Sequence, residues 1–386
     1  MSVLSSPPKC SNKRKSTDGQ LDTELSSKKK SGRKSKPSLK GDVPPLGKFL
    51  ASNDKTTRDR AVAALHKFLS MQPGFAEGSS EQRDVFDHTE DNADASWKPL
   101  EADDLRMDTL ELAKLYKGLF YCYWMSDKPL VQQDLAKELA QLCLVVRPRK
   151  AHSHSALAQV LTTQAALSFW KGFWETLSRE WHGVDKHRID KYLLLMRRFV
   201  EVGFKILQRM HWNSKAISIW SNILKETIFN VEDCRTPLSI AYHFSDIFLT
   251  ELDRVLEQKP SPPAPILLLL SPLCHALSKA CAGTATFAKI LENIFDPLLE
   301  NFDYFDSNHL KKPSSSTIAL YPTFETSLSN SSSSTGTINT CTTAAELKVN
   351  VLKLLFETGS NQNCSDANRR KLYQYWSSKG GAADDE

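Results

Sequence analysis

Apolar side chains recur at steps of three and four residues along most of the chain, and they are densest over residues 115–130. Leu115, Leu119 and Phe120 follow the spacing that places side chains on one face of an α-helix. Trp124 lies on a different face of the same helix. Because a helix that is apolar all round is normally covered by neighbours on several sides, the pattern predicts a buried helix at the centre of an all-helical body.

Gly118 lies inside this helix and belongs to a motif that occurs twice in the chain. A glycine within a helix costs about 1 kcal/mol relative to alanine, so we expect a neighbouring backbone to approach closely at Gly118. The aromatic-Lys-Gly-apolar-aromatic pattern of residues 116–120 returns within residues 169–174, about 54 positions later. Recurrence at this interval suggests a repeat of paired helices, although two copies do not establish one.

The same periodicity predicts a series of helices joined by short turns, several of them marked by proline or glycine. No convincing alternation of period two, which is typical of strands, occurs in the body. Short connections favour antiparallel neighbours, so the predicted fold is all-α, a curved solenoid of antiparallel helical hairpins of the HEAT or armadillo type. The predicted helices cover residues 46–69, 105–125, 129–146, 155–181, 186–210, 214–229, 238–258, 265–282 and 284–299.

Composition divides the chain into a helical body and less ordered segments around and inside it. Sequence rich in Ser, Lys and Pro buries too little apolar surface to fold, and a stretch rich in acids and glycine lacks any apolar period. Ser- and Thr-rich sequence is typical of a linker. The predicted segments are a disordered basic tail (1–43), a helical-repeat domain (44–300) with a flexible acidic insertion (72–99), a linker (301–344), a C-terminal helix (345–377) and a disordered end (378–386).

Positive charge is concentrated in the first part of the chain. The 386 residues contain 50 Lys and Arg and 45 Asp and Glu, a formal net charge of +5, but residues 1–46 hold 11 of the basic and 4 of the acidic residues and carry +7 alone. Two basic clusters about a dozen residues apart suit a two-part nuclear import signal and would bind nucleic acid nonspecifically, while a solvated, solubilising tail is the alternative. The clusters contain Lys13, Arg14, Lys15, Lys28, Lys29, Lys30, Arg33, Lys34 and Lys36.

Cysteine usage and hydropathy indicate a reducing, aqueous compartment. The eight cysteines show no close pair and lie mostly within apolar helical patterns, which is typical of reduced core residues in an intracellular protein. The longest apolar run, residues 266–270, is far shorter than the roughly 20 residues that a membrane span requires. We therefore expect neither secretion nor membrane insertion.

Motifs with chemical meaning are few. The segment around His182, Asp185 and His187 contains residue types found in phosphodiester-cleaving sites, but a helix-to-helix turn capped by Gly183 and Asp185 explains it without chemistry. A His-x-His pair at residues 152–154 lacks further metal ligands at a suitable spacing. The sequence also lacks the common nucleotide, zinc-protease and serine-hydrolase motifs. We expect no catalytic residue, no metal, no cofactor and no small-molecule substrate.

Aromatic and basic residues of the body supply the remaining candidates. Tryptophans on apolar helical stripes are more often core residues than platforms for stacked bases. The predicted structural core includes Leu115, Gly118, Phe120, Trp124, Phe169, Trp170, Trp174 and Trp181. Basic residues on polar faces or beside the tryptophans are candidate contacts to RNA phosphate or to a partner, with a solvated face as the alternative. These are Lys55, Arg58, Arg60, Lys171, Arg179, Arg188, Arg197, Arg198, Lys205 and Arg209.

Several of these segments, in this order, resemble the ribosomal RNA-processing protein 1 family. The resemblance extends over roughly residues 46–256, and the combination of segments is specific whereas each segment alone is not. The chain departs from the family pattern in the acidic insertion at residues 72–99 and in a short, weakly basic C-terminal end. The segments that carry the resemblance are residues 46–55, 57–61, 115–122, 124–129, 169–174, 181, 189–192 and 197–198.

The resemblance implies a nucleolar protein of eukaryotes that acts in assembly of the large ribosomal subunit. Its members are implied to be non-enzymatic helical-repeat factors on pre-60S particles, required for processing of precursor ribosomal RNA around the internal spacers. They are implied to work beside a Brix-domain factor and a WD-repeat propeller factor. Two alternatives stay open from the residues alone: an import-receptor-like helical adaptor that binds peptide cargo, and an RNA-processing nuclease.

Overall fold

A computed structural model describes most of the helical body and leaves several segments undescribed. The described residues are 46–71, 97–149, 156–230, 232–233, 235–258, 261–279, 285–310, 319–330 and 342–381. The predictions for the basic tail, for most of the acidic insertion, for the His-x-His pair at residues 152–154 and for most of the disordered C-terminal end therefore lie outside the described residues.

The described chain consists almost entirely of α-helices, which confirms the all-α fold class. None of these helices combines the length and the apolar composition needed to cross a membrane. A π-helical turn, Leu291–Phe295, joins α11 to α12. The helices are α1 Leu46–Leu50, α2 Lys55–Ser70, α3 Thr109–Trp124, α4 Pro129–Val145, α5 Ala156–Glu180, α6 Ile189–Arg209, α7 Ser214–Thr227, α8 Leu238–Gln258, α9 Ile266–Leu269, α10 Ser271–Lys279, α11 Ala285–Ile290, α12 Asp296–Leu310, α13 Phe324–Ser327, α14 Ala344–Ser360 and α15 Asp366–Ser378.

Side-chain caps explain where several helices begin. The Asp54 carboxylate accepts a hydrogen bond from the Thr57 backbone N–H at 2.8 Å and starts α2. Asn213 caps α7 in the same way, with 2.9 Å between its side-chain oxygen and the Lys215 nitrogen. Pro129 occupies the first turn of α4, where the missing N–H leaves no partner unsatisfied. The helix starts predicted at residues 129 and 214 are therefore present.

Consecutive helices pack into two rows. In the first row α1, α3, α5, α7 and α10 contact one another in succession, and in the second row α2, α4, α6, α8 and α11 do the same. Helices that are adjacent in the chain, such as α1 and α2 or α5 and α6, contact each other between the rows. Stacked helical hairpins produce this pairing. The curvature that the sequence analysis predicted stays a prediction.

Aromatic side chains bind α3, α5 and α6 together in the core. The Phe120 and Tyr192 rings stack with centroids 4.7 Å apart, and the Tyr192 hydroxyl donates to the Phe120 carbonyl at 2.9 Å. The Tyr116 ring lies over Gly172, and its hydroxyl donates to the Phe169 carbonyl at 3.1 Å. Each tyrosine thus buries its ring and satisfies its hydroxyl on the neighbouring helix.

The segment predicted to be a linker, residues 301–344, is instead anchored to the helical body by buried side chains where the structure describes residues 319–330. Helix α12 continues to Leu310, and Phe324 and Leu328 are fully buried. Leu328–Ser329 forms a two-residue parallel pair, β2, with Ala264–Pro265, β1. The linker prediction is wrong for residues 319–330 because a few buried apolar side chains suffice to fix Ser- and Thr-rich sequence when its backbone groups also find partners.

The predicted C-terminal helix over residues 345–377 is two helices, α14 and α15, which pack against α10 and α12. The Asn368 side chain is buried and donates to the carbonyls of Leu277 and Ser278 at the end of α10, at 3.0 and 3.1 Å. The Tyr375 hydroxyl donates to Asp296 at 2.8 Å. The end of the described chain therefore docks onto the helical body.

Candidate functional site

The segment that resembles a phosphodiester-cleaving site serves as a turn between α5 and α6. One oxygen of Asp185 accepts the backbone N–H groups of His187 and Arg188 at 2.9 and 3.1 Å, and the carboxylate pairs with the Arg188 guanidinium. Burial alone would raise the pKa of Asp185, but hydrogen bonds from Arg188 and the His187 backbone outweigh it and hold the pKa below its usual value. His182 and His187 are exposed. Asp185 therefore has its hydrogen-bonding capacity engaged in the turn.

Metal binding finds no support in the part of the chain that the structure describes. There, no group of three or more His, Cys, Asp or Glu side chains converges as a metal ion would need. The core between α3, α4, α5 and α6 encloses an apolar cavity of about 20 Å³, which holds at most one water molecule. The cavity between these four helices is therefore too small to hold a cofactor.

Most of the predicted core residues are buried. Trp170 and Trp174 are fully buried, Leu115, Phe120, Phe169 and Trp181 nearly so, and Gly118 is buried in α3. Trp124 is only half-buried, and the Arg188 guanidinium lies 4.5 Å above its ring. The Trp170 indole donates to the Phe199 carbonyl at 2.8 Å, whereas the buried indole N–H groups of Trp174, Trp212 and Trp220 have no protein partner. These rings are not available for stacking on bases.

Arg58 was predicted to lie on a polar face, and the structure contradicts that prediction. Its side chain is 6% exposed and donates to the carbonyls of Ser52 and Asn53, both at 2.9 Å, and of Met125 at 3.2 Å. Arg58 thereby ties the start of α2 to the end of α3. The helical pattern placed a basic residue there but carried no sign of carbonyl acceptors 67 residues further on.

Other arginines also donate hydrogen bonds to backbone carbonyls at the ends of helices. The last four carbonyls of a helix lack partners within it and carry partial negative charge, which favours a cation. Arg106 donates to the carbonyls of Phe68 and Met71 at 2.8 and 2.9 Å, next to the end of α2. Arg209 donates to the Leu144 carbonyl of α4 at 2.8 Å. These arginines stabilise the stack of helices.

Lys191 completes the set of cations at the end of α3. Its ammonium group donates to the carbonyls of Trp124 and Ser126 at 2.6 and 2.7 Å, and its side chain is 6% exposed. Burial lowers the pKa of Lys191 to about 8. The sequence analysis did not single out Lys191 or Arg106, because a lone basic residue in an apolar helix or in a turn carries no distinctive spacing.

Several of the remaining candidate cations pair with acids on the surface. Lys171 pairs with Glu226 of α7 at 2.9 Å, and Arg179 pairs with Glu180 at 3.3 Å. Arg179 and Glu226 also line an open cavity of about 600 Å³ between α5 and α7, called here the mixed-charge cavity. Exposed pairs of this kind contribute little to stability. Lys55 pairs with Asp59 at 2.5 Å, and Arg60 is exposed.

Two buried carboxylates hold four cations between α6 and α8. Glu201 accepts from Arg198 at 3.0 Å and from Lys205 at 2.6 Å, while Glu251 accepts from Arg197 at 2.8 Å and from Arg254 at 3.3 Å. Burial raises the pKa of Glu251 against the opposing effect of the two arginines. At Glu201 burial is outweighed by the hydrogen bond and charge of Lys205 and of Arg198, so its pKa is lowered.

Three of these cations, Arg198, Lys205 and Arg254, lie along a depression that crosses α4, α6 and α8, called here the basic groove. It consists of adjoining cavities of about 460 and 280 Å³, both lined by Lys205 and Gln258. The sequence analysis singled out three of its basic residues and missed Lys137 and Arg254. Positions 198, 201 and 205 share one face of α6, as their spacing indicates. The sequence does not indicate that α4 and α8 pack beside this face. The Lys and Arg residues lining the groove are Lys137, Arg198, Lys205, Arg209 and Arg254.

The model of the family described as nucleolar protein, Nop52, matches residues 41–374. The chain belongs to the Nop52 family. Among curated proteins, it is 31% identical over 261 residues to ribosomal RNA processing protein 1 homolog A of Mus musculus, covering 67% of this chain and 44% of the relative. It is 30% identical over 261 residues to ribosomal RNA processing protein 1 homolog A of Homo sapiens, covering 67% of this chain and 47% of that relative. The ribosomal RNA processing protein 1 homolog of Dictyostelium discoideum is 26% identical over 290 residues, covering 69% of this chain and 51% of that relative.

These matches confirm the resemblance on which the sequence analysis relied, and with it the expectation of a nuclear, nucleolar protein. The Nop52-family chain matches about half the length of these relatives. The matched residues include α1 to α14 and most of α15. The rows of helices and the basic groove thus lie within the Nop52 region.

Proposed function

We propose that the chain is a non-enzymatic scaffold in the processing of precursor ribosomal RNA. In this proposal it acts on nucleolar pre-60S particles and holds RNA around the internal spacers in a conformation that other enzymes cleave. The observation that carries it is the Nop52 match over residues 41–374, together with relatives whose names assign them to ribosomal RNA processing.

The arrangement of side chains favours a docking surface over a catalytic pocket. Trp170, Trp174, Trp212 and Trp220 are fully buried, and the Asp185 carboxylate is engaged in the turn before α6. Binding energy spread over a row of helices suits a protein that holds several partners at once. The proposed partners are precursor ribosomal RNA, a Brix-domain factor and a WD-repeat propeller factor. The basic tail, residues 1–43, is proposed to direct nuclear import.

Depletion of the protein in its own cells tests the proposed function. We expect precursor RNAs that retain internal spacer sequence to accumulate, free 60S subunits to fall, and the tagged protein to sediment with particles larger than free protein. Northern hybridisation across the spacers and sucrose gradients measure these outcomes. Normal precursor levels after depletion would contradict the proposal. Recovery of import cargo without ribosomal RNA would favour the helical adaptor.

The nuclease alternative has a separate test. The double variant His182→Gln and His187→Gln removes both exposed imidazoles and leaves the turn-forming Asp185 in place. We expect this variant to restore RNA processing in depleted cells as well as the wild type does. Failure to restore processing, with wild-type protein levels and unchanged sedimentation, would support catalysis at this turn.

A further inference from the structure

The basic groove differs in charge from the mixed-charge cavity. Five Lys and Arg side chains line it against one carboxylate, that of Glu201. The mixed-charge cavity between α5 and α7 has two arginines, Arg179 and Arg235, against the acids Glu175, Glu226 and Asp233. Positive charge is therefore gathered on the side formed by α4, α6 and α8. A groove lined by one sign of charge attracts a ligand of the opposite sign.

Three cations of the basic groove, Arg198, Lys205 and Arg254, are held in place by buried carboxylates before any ligand arrives. Glu201 and Glu251 are buried, and each binds two cations at once. One carboxylate neutralises only one of its two partners, so the pairs retain a net positive charge. The four basic side chains are between 26% and 38% exposed, which leaves them accessible to a ligand. A cation that is already ordered loses less conformational entropy on binding.

The other residues that line the groove indicate which class of ligand it binds. Gln141, Gln208 and Gln258 add amide donors, and His211 is the one ring among the lining residues. Acidic peptides usually dock through large apolar anchors as well as through charge, and the apolar residues that line this groove are Ala140, Leu144 and Val202. Base stacking is strongest on Phe, Tyr or Trp, none of which lines the groove. Lys, Arg and amide groups without such platforms match the contacts that proteins make to phosphate oxygens.

We propose that the basic groove across α4, α6 and α8 binds the phosphodiester backbone of an RNA segment, independently of its base sequence. This inference rests on the proposed function and assigns a surface of the scaffold to its RNA. Lys137 from α4, Arg198, Lys205 and Arg209 from α6, and Arg254 from α8 supply the charge. Because the five cations come from three helices, the site exists only in the folded stack.

The triple variant Lys137→Gln, Lys205→Gln and Arg254→Gln, called the groove variant, tests the proposal. Glu201 retains Arg198, and Glu251 retains Arg197, so neither buried carboxylate loses both partners. Binding of the full chain to a fluorescein-labelled 20-nucleotide RNA is measured by anisotropy. We expect affinity to fall by about tenfold near 100 mM salt, and the salt slope to fall in magnitude by about 2, since each single-strand phosphate contact contributes about 0.7.

A control variant, Lys171→Gln, Arg179→Gln and Arg235→Gln, removes the same charge at the mixed-charge cavity. Both variants keep the basic tail, so any affinity that the tail supplies is common to them. We expect the control variant to bind RNA within about twofold of the wild type. An equal loss in the two variants would show a general effect of net charge and would overturn the proposal. Equal melting temperatures confirm that both variants fold.

Two measurements on the wild-type chain locate the ligand and identify its class. We expect the RNA to slow acetylation of Lys137 and Lys205 and to leave Lys171 unaffected; the absence of protection at Lys137 would contradict the groove. We expect uridine and mixed-sequence RNAs to bind alike, and a polyglutamate peptide of equal length to compete weakly. Tighter binding of polyglutamate, lost in the groove variant, would assign the site to an acidic protein segment instead.

Failure of this inference is distinguishable from failure of the proposed function. If the groove variant binds RNA normally while depletion of the protein still blocks spacer processing, the groove assignment is wrong and the scaffold role stands. If depletion leaves processing normal while the groove variant loses RNA binding, the groove is an RNA site in a protein with another role. Both readouts use the full chain.

Discussion

Gly47 of α1 and Gly118 of α3 lie against each other, so that the backbones of the two helices are in direct contact. A methyl group added at Gly118 would lie 2.9 Å from both the Cα and the carbonyl oxygen of Gly47, and 3.2 Å from the Leu50 Cβ. The close approach expected from the position of Gly118 in an apolar helix is therefore present. Helix α1 has only five residues, and this contact holds it on the first row.

Replacing Gly118 by alanine should destabilise the protein. The added methyl group must push α1 away from α3, and overpacking of this kind costs about 1–3 kcal/mol even though alanine favours the helix. The urea midpoint of unfolding, followed by circular dichroism, measures the change. Gly183→Ala is the matched control, because nothing lies within 4 Å of a methyl group at that position. Its stability should be unchanged or raised by up to about 1 kcal/mol.

The sequence was sufficient to predict the all-α class and several helix starts, but not what the charged residues do. Apolar periodicity reports which face of a helix is buried, and α4 and α8 begin at the predicted residues. Residues 319–330 were missed because Phe324 and Leu328 are too few to form a period. Arg58 was wrongly predicted to be exposed, because its position on the polar side of the helical pattern gives no information about carbonyl acceptors at the end of α3. Contacts between residues distant in the chain have no local signature.

His243 should make the protein less stable in mild acid. Its Nε2 donates to the Leu193 carbonyl at 3.0 Å. Burial lowers the pKa of the imidazole below its usual value, and the positive charge of Arg197 lowers it further. The hydrogen bond to Leu193 and the negative charge of Asp246 raise this pKa but do not outweigh burial. Since the unfolded chain then binds a proton more readily than the folded chain, stability contributed by His243 is present above pH 6.5 and is lost as the pH falls from 6.5 through the lower pKa of the folded chain.

The variant His243→Gln keeps an amide donor at this position and removes the titration. Urea midpoints of both proteins at pH 7.5 and 5.5 test the expectation. We expect the wild type to lose more stability than His243→Gln over this range. His275, whose pKa burial also lowers, contributes equally to both proteins. Equal losses in the two proteins would contradict a role for His243.

The buried thiols should resist alkylation in the folded protein. Burial raises the pKa of both Cys122 and Cys274 to about 12, and that of Cys143 is also raised. The thiolate is the reactive form, so these three side chains react slowly for lack of both charge and access. Iodoacetamide at pH 8 followed by peptide mass spectrometry should leave them unmodified in buffer and modified in urea. Rapid labelling of Cys122 in buffer would show that α3 opens locally.

Arg58→Met should destabilise the protein, and Arg60→Met should not. Methionine keeps much of the volume of the Arg58 side chain but removes the donors to the carbonyls of Ser52, Asn53 and Met125. Leaving such acceptors without a donor costs about 2–4 kcal/mol in total, so the urea midpoint should fall clearly. Arg60 is exposed two residues away on the same helix, and its replacement should change stability by less than about 0.5 kcal/mol.

The same pair separates a structural arginine from one that contacts RNA. Both substitutions remove one positive charge from α2, so an effect of net charge on RNA affinity would appear equally in the two variants. We expect Arg58→Met, measured well below its melting temperature, to bind RNA as Arg60→Met does. Arg58 is only 6% exposed, and its guanidinium is engaged with backbone carbonyls. If Arg58→Met alone bound RNA more weakly while keeping the stability of the wild type, Arg58 would instead be an RNA contact.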